Sequence, residues 1–278
     1  SDLDQQENSV MKIIDRHDAV SDQIIGSAIN ALNQTRMQDE IFELERQARA
    51  FENAGEQMLK VRDFIASPNS ILGSTGTKHG EIAEQVEVGV RNARQALEER
   101  LQDESAFRAT FDGVGRTAPA DYLIDGVEVQ SKFINGINNN LAHVLKHMED
   151  YPDFTQDKAF YHIPKDTWQT IQDVIDGKPV EGMNERSLQA IREKVAEIEN
   201  ATGRSFADVV RPGDSNYKDV QWGKIDETLD KHDQELAEKN EVKKAEIVEE
   251  HQPSLNEAMR ATAMGAAFGA TFALGTGI

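Results

Sequence analysis

The chain has 278 residues, 50 acidic against 30 basic side chains, a net charge of −20 and no cysteine. Without cysteine there is no disulfide scaffold, no Cys-ligated zinc site and no thiol nucleophile. The acidic balance argues against a generic nucleic-acid coat, which needs Lys and Arg to neutralise phosphates. The hydrophobic share of 38% supports a core, and the length suits two domains or one elaborated domain.

Residues from about 4 to 66 read as helix, because Val10, Ile13, Ile14, Val20, Ile24, Ile25, Ala28, Ile29 and Leu32 recur at spacings of three and four. Turn chemistry over residues 67–76 interrupts it. A second helix is predicted from Lys78 to about Leu101, with Ile82, Val86, Val90, Ala93, Leu97 and Leu101 as its core stripe. The pattern then changes to strand, turn and strand over Ala120 to Phe133, with Asp125-Gly126 as the hairpin turn. A helix over Ile137 to Glu149, a strand over Phe160 to Ile163 and helices over Thr167 to Ile175 and Asn184 to Ala201 follow, with a short one over Ser205 to Val210. Asp226 to His251 carries ten acids and four lysines, the pattern of a solvated or coiled helix. The chain opens without Met and closes in a run, Ala261 to Ile278, with no charge. Both ends read as those of a piece cut from a longer protein. The closing run contains a small-xxx-small pair and is a candidate membrane contact if the native chain continues.

The hairpin register sets what it presents. With Asp125-Gly126 as the turn, Ile124 opposes Val127, Leu123 opposes Glu128, and Asp121 opposes Gln130. Alternation puts Ala120, Tyr122, Ile124, Val127, Val129, Ser131 and Phe133 on one, mostly apolar face. The other face carries Asp121, Leu123, Glu128, Gln130 and Lys132. Such an array offers hard oxygen ligands for a dication and an ammonium to stabilise developing phosphoryl charge; alternating polar residues are also what a plain solvent face shows.

The element order and the local string resemble the PD-(D/E)xK phosphodiesterase superfamily. Pro119-Ala120-Asp121 is similar to the first half of its motif and Gln130-Ser131-Lys132 to the second, with Gln where an acid is usual. Glu128-Val129-Gln130 is a second reading of that half. Lys78-His79-Gly80-Glu81-Ile82-Ala83-Glu84 is similar to the segment bearing a Glu on the preceding helix, with Glu84 ahead of Glu81 as the candidate. The resemblance covers residues 76–176 and calls for a strand ahead of the hairpin, for which Phe107 to Phe111 is the candidate.

The resemblance implies an α+β fold with a small mixed sheet of restriction-endonuclease-like type, flanked by helices. With the helical and acidic stretches outside the resemblance, the chain divides into an N-terminal helical region (1–70), a nuclease-like core with a helical extension (76–212), and an acidic helical stalk with the apolar run (213–278). The resemblance implies a Mg²⁺- or Mn²⁺-dependent nuclease acting on DNA in preference to RNA. Asp121, Glu84 and Gln130 would hold the metal, with Glu128 as an alternative ligand and Lys132 at the reacting phosphate. Domains of this type joined to accessory helices occur in bacterial toxins and anti-phage systems. The composition suits the cytoplasm, with membrane association through residues 261–278. Two readings from other classes stand beside it: a helical scaffold with an inert core, and a membrane-associated protein that oligomerises through its helices and apolar end.

Elsewhere, His143 and His147 stand at i and i+4, a spacing able to hold a metal but more common on a plain helix surface. His79 reads as an end-of-helix residue, and Arg116 and Lys165 as surface cations able to meet a phosphate. Asn138, Asn139 and Asn140 read as an irregular helix entry. Trp168 and Trp222 read as packing anchors, since neither lies in a basic aromatic cluster of the sequence. No P-loop, dinucleotide fingerprint or Gly-x-Ser-x-Gly elbow occurs.

Overall fold

The three-to-four spacing at the start of the chain winds Asp2–Ala66 into a single helix, α1. The computed structural model describes residues 2–67, 78–115 and 117–253, with side chains from residue 23 onward. Most of the expected turn after α1, the phosphate contact expected at Arg116 and the uncharged run 261–278 lie outside the described residues. Residues 48–240 form one compact unit; residues 1–47 and 241–278 form another. In this other unit α1 leaves Ile24, Leu32, Met37, Ile41 and Phe42 more than half exposed. Among the described residues no helix is long and apolar enough to cross a membrane.

The unit spanning 48–240 is a mixed α+β fold built on a five-stranded sheet. Helix α2 (Lys78–Glu98) is followed by strands β1 (Ala109–Thr110), β2 (Tyr122–Ile124) and β3 (Val127–Ser131). Helix α3 (Ile137–Asp150), strand β4 (Phe160–Ile163), helices α4 (Lys165–Ile175), α5 (Glu185–Thr202) and α6 (Phe206–Val209), strand β5 (Val210–Pro212) and helix α7 (Ile225–Glu250) complete it. The strands lie in chain order, with β1, β2 and β3 antiparallel and β3, β4 and β5 parallel. The parallel joints need crossovers, which α3 supplies between β3 and β4, and the α4–α6 segment between β4 and β5.

The hairpin has the expected register, Leu123 against Glu128 and Ile124 against Val127. Both turn residues take positive φ, 52° at Asp125 and 74° at Gly126, as a two-residue hairpin turn of matching twist requires. The candidate strand at Phe107 to Phe111 contains β1. Its outer edge is closed by Asn92 of α2, whose side-chain amide donates to the Ala109 carbonyl at 2.9 Å and accepts from its N–H at 3.3 Å. One amide side chain thus stands in for a further strand and leaves no open ladder there.

The predicted stripe of α2 is the floor of one core: Ile82, Val86, Val90, Ala93 and Leu97 pack with Met58, Val61 and Ile65 of α1. Gly89 lets the two helices touch, since a Cβ there would lie 2.2 Å from Val61 Cγ2. The opposite side of α2 meets the sheet, where Val88 packs with Tyr122, Val129 and Phe160. Beyond the sheet, Tyr161, Ile163 and Val210 pack with Leu141, Val144, Ile171 and Ile191 of the crossover helices. The sheet is therefore covered on both faces, as parallel strands require.

Three expectations are corrected. The end of the 205–210 segment is not helix; it turns into β5, because Val210 pairs with buried Tyr161. Helix α7 is not wholly solvated. Ile225, Leu229 and Leu236 are buried in the core shared with α1 and α2, at the i, i+4, i+11 spacing of one face. The Asn run is not an irregular helix entry; it lies inside α3, which starts at Ile137 with Gly136 as its N-cap.

Candidate active site

The polar face of the hairpin is buried at its far end, where Gln130 is only 8% exposed on an interior strand with β4 beside it. Asp121, just ahead of β2, joins the hairpin through its N–H, which donates to the Val129 carbonyl at 2.8 Å. Its Oδ2 accepts from Gln130 Nε2 at 2.6 Å and from the Ser131 N–H at 2.7 Å.

Lys132 follows with its backbone pinned. Its N–H donates to the His162 carbonyl at 2.8 Å, and its carbonyl accepts from Asn140 Nδ2 at 2.6 Å. The next carbonyl, Phe133, lies 2.9 Å from His79 Nε2. Asn140 is fully buried, so the Asn run at the start of α3 fixes the strand end that carries Lys132. His79, at the start of α2, ties that helix to the same strand end.

Glu84 reaches this cluster from α2. Its carboxyl is pushed well above the usual range, first by burial and then by the negative charges of Asp121 and Glu81, with Lys132 opposing. Asp121 is pushed up to about 6 by burial, against the stabilising hydrogen bond from Ser131, the nearby Lys132 charge and the Gln130 bond. Burial lowers Lys132, while Asp121 and Glu84 hold it protonated. Glu84, Asp121, Gln130 and Lys132 are thus one interacting group. Glu128 is not part of it. It is exposed at the turn end of β3, a two-residue step of about 7 Å from Gln130, and it contributes to none of these shifts.

Behind the group lies a pair that the residue spacing did not reveal. His147 Nδ1 and the Tyr161 hydroxyl are 2.8 Å apart, and Tyr161 is the register partner of Gln130 on β4. The His147 ring also hydrogen-bonds to the Pro119 carbonyl, and burial followed by the Lys132 charge lowers its pKa to about 4. A neutral imidazole that donates to a carbonyl has its other nitrogen free to accept, so Nδ1 accepts from Tyr161. His147 thereby braces the segment leading into Asp121. His143 is exposed, so the two histidines do not converge on a metal. The usable signal was phase: His147 falls on the stripe of Leu141, Val144 and Met148.

A second buried polar group sits between α2 and the sheet. Glu87 is 2% and His162 3% exposed. Glu87 bonds to Arg91 at 2.6 Å and accepts from the Asp214 N–H at 2.7 Å, and His162 Nδ1 shares a 2.7 Å hydrogen bond with the Tyr122 hydroxyl. Glu84, Glu87 and Arg91 follow one another at i, i+3 and i+7, so α2 turns a charged stripe inward.

The donor set suits a hard dication that keeps much of its water: two carboxylates, with the Gln130 amide oxygen turned away from Asp121. Among the described residues no group of three or more His, Cys, Asp or Glu side chains is arranged to hold a metal. Any ion here would rest on Glu84 and Asp121, with the amide oxygen, water or a substrate phosphate completing its shell. Comparisons with protein-family models, with curated proteins and with solved structures find no match for the chain.

Proposed function

We propose that this chain is a metal-dependent phosphodiesterase of the PD-(D/E)xK type, a nuclease acting on DNA. The observation that carries the reading is the convergence of Glu84 from α2 with Asp121 and Lys132 from the two arms of one hairpin. Support also comes from topology: a helix, an antiparallel three-strand meander, a crossover helix and a parallel strand is the order the restriction-endonuclease-like fold calls for. Two half-buried carboxyls with raised pKa values repel each other when ionised, and a dication between them relieves that repulsion.

In this reading Asp121 and Glu84 hold Mg²⁺ or Mn²⁺, with the Gln130 oxygen as the auxiliary ligand. A bound ion would supply Lewis-acid polarisation of the phosphate and a more acidic water. Lys132, fixed through Asn140 and the β4 backbone, stabilises charge that builds on the phosphoryl oxygens. Glu128, on the exposed turn end, has no role at the reacting atoms.

One observation favours a scaffold with an inert core instead. Gln130 gives Asp121 an amide donor where a second carboxylate would bind metal more strongly. The same assay separates the two readings. Supercoiled plasmid, single-stranded DNA and RNA are incubated with the protein in Mg²⁺, in Mn²⁺ and in EDTA, beside Asp121→Ala and Lys132→Ala variants shown by circular dichroism to be folded. Metal-dependent cleavage lost in both variants supports the nuclease. Cleavage that survives in both points to a contaminant and sinks the assignment, and no cleavage under any condition supports the inert scaffold.

A further inference from the structure

The −20 charge of the chain leaves open how a polyanion would be held beside the carboxyl cluster. The residues at the start of α2 and in the segment before α7 answer it. Trp222, read from sequence as a packing anchor, is 50% exposed. Lys78 at the first turn of α2 lies over it, with Nζ 6.0 Å from the ring. Tyr217 meets His79 edge-on at 5.3 Å between ring centroids, and His79 is bonded to the carbonyl next to Lys132. Six residues of helix, about 9 Å of rise, separate Lys78 from Glu84, a reach that a flanking nucleotide covers.

Lys78, the cation over the indole, makes no ion pair among the described residues. Several nearby acids have partners of their own. Asp166 accepts from the Tyr217 N–H at 3.0 Å, Asp219 from the Asn216 N–H at 3.3 Å, and Glu227 pairs with Lys224 at 2.5 Å. A lone exposed aromatic needs no explanation. An exposed indole under an unpaired ammonium group, at the approach to the half-buried carboxyl pair, is suited to stacking a base.

We infer that Trp222, with Lys78, is a platform on which an unpaired base next to the cleaved phosphate stacks. The position of this platform rests on the nuclease reading, and it makes a single strand or a frayed end the preferred partner over an intact duplex. The indole binds any base face, and the Lys78 ammonium meets the backbone.

The test uses intrinsic fluorescence, because the chain has only two tryptophans. Trp168 donates its Nε1–H to the Val210 carbonyl at 2.8 Å and is the packing anchor expected. The full chain is titrated in EDTA with oligo(dT), oligo(U) and a blunt duplex, following emission and the anisotropy of a labelled strand. A single strand should quench the emission, and Trp222→Ala should remove the quench and weaken binding roughly tenfold. Trp222→Tyr should restore most of the binding, and Trp168→Phe should keep the quench. Failure of every strand to bind, or equal binding by wild type and Trp222→Ala, overturns the platform. Binding that needs Trp222 in a protein that never cleaves keeps the platform and removes the nuclease. Cleavage lost in Asp121→Ala while Trp222→Ala binds normally does the reverse.

Discussion

Gln130 Nε2 donates to Asp121 Oδ2 across 2.6 Å, so the amide of β3 occupies the place from which a second acid would face the carboxylate of the first strand. Replacing it by Gln130→Glu puts two carboxyls in that contact, and without metal they must share a proton. The variant should bind Mn²⁺ at least tenfold more tightly in calorimetric titration, with more protons released on binding. It should also be about 1 kcal/mol less stable than wild type at pH 8 in EDTA. Unchanged Mn²⁺ affinity would show that position 130 does not face a metal.

Asp121, held up to about 6 by burial, works against stability in the metal-free protein. Its unfolded carboxyl ionises near 3.9, so between about 4 and 6 the folded state binds more protons than the unfolded one. Stability therefore falls as pH rises through that window, and the cost is fully present above it. Asp121→Asn should stabilise the metal-free protein by about 1–2 kcal/mol at pH 8 and have little effect at pH 4, as read by urea unfolding. Equal effects at the two pH values would refute the raised carboxyl.

The hairpin was legible because its turn residues and its alternation are local signals, and both reach the same register. The core stripe of α2 was legible for the same reason. The charged stripe was not, since Glu84, Glu87 and Arg91 look like a solvent face until the sheet is laid over them. Strand β5 was hidden because its three residues carry no alternation of their own; only pairing with β4 makes them a strand. The buried face of α7 was masked by ten acids on the rest of the helix, although Ile225, Leu229 and Leu236 keep its spacing. Trp222 needed the start of α2, more than a hundred positions away, before its lysine neighbour could be seen.

Gly89 is where α1 and α2 touch, with an added Cβ 2.2 Å from Val61 Cγ2 and 3.4 Å from the Gln57 carbonyl. Alanine there gains up to about 1 kcal/mol of helix propensity but overpacks a β-branched side chain that is 1% exposed. The net effect of Gly89→Ala should be a loss of about 1–2 kcal/mol, several degrees in Tm. Trimming the neighbour should return part of it, so Gly89→Ala with Val61→Ala should be less destabilised than the two single changes summed. Strict additivity in thermal unfolding would mean that the helices do not meet at this point.

His162, like His147, costs the fold stability in acid. Burial, with Arg91 next, lowers its imidazole to about 3, whereas an unfolded histidine titrates near 6.5. Below that value the unfolded chain takes up a proton that the folded chain refuses, so stability drains away as pH falls from about 6.5 toward 3. The loss should reach about 2 kcal/mol between pH 7 and pH 4.5, at roughly 1.4 kcal/mol per pH unit inside the window. Glu87, 3.6 Å from His162 Nδ1 and raised by its own burial, acts with the opposite sign and offsets part of this loss. In His162→Gln the side-chain oxygen can still accept from the Tyr122 hydroxyl, but there is nothing to protonate. The variant should start less stable at pH 7 and lose about 2 kcal/mol less than wild type on acidification, as measured by urea unfolding at the two pH values. If both proteins lose the same amount, the acid sensitivity belongs to other groups and the buried imidazole is not the one that fails first.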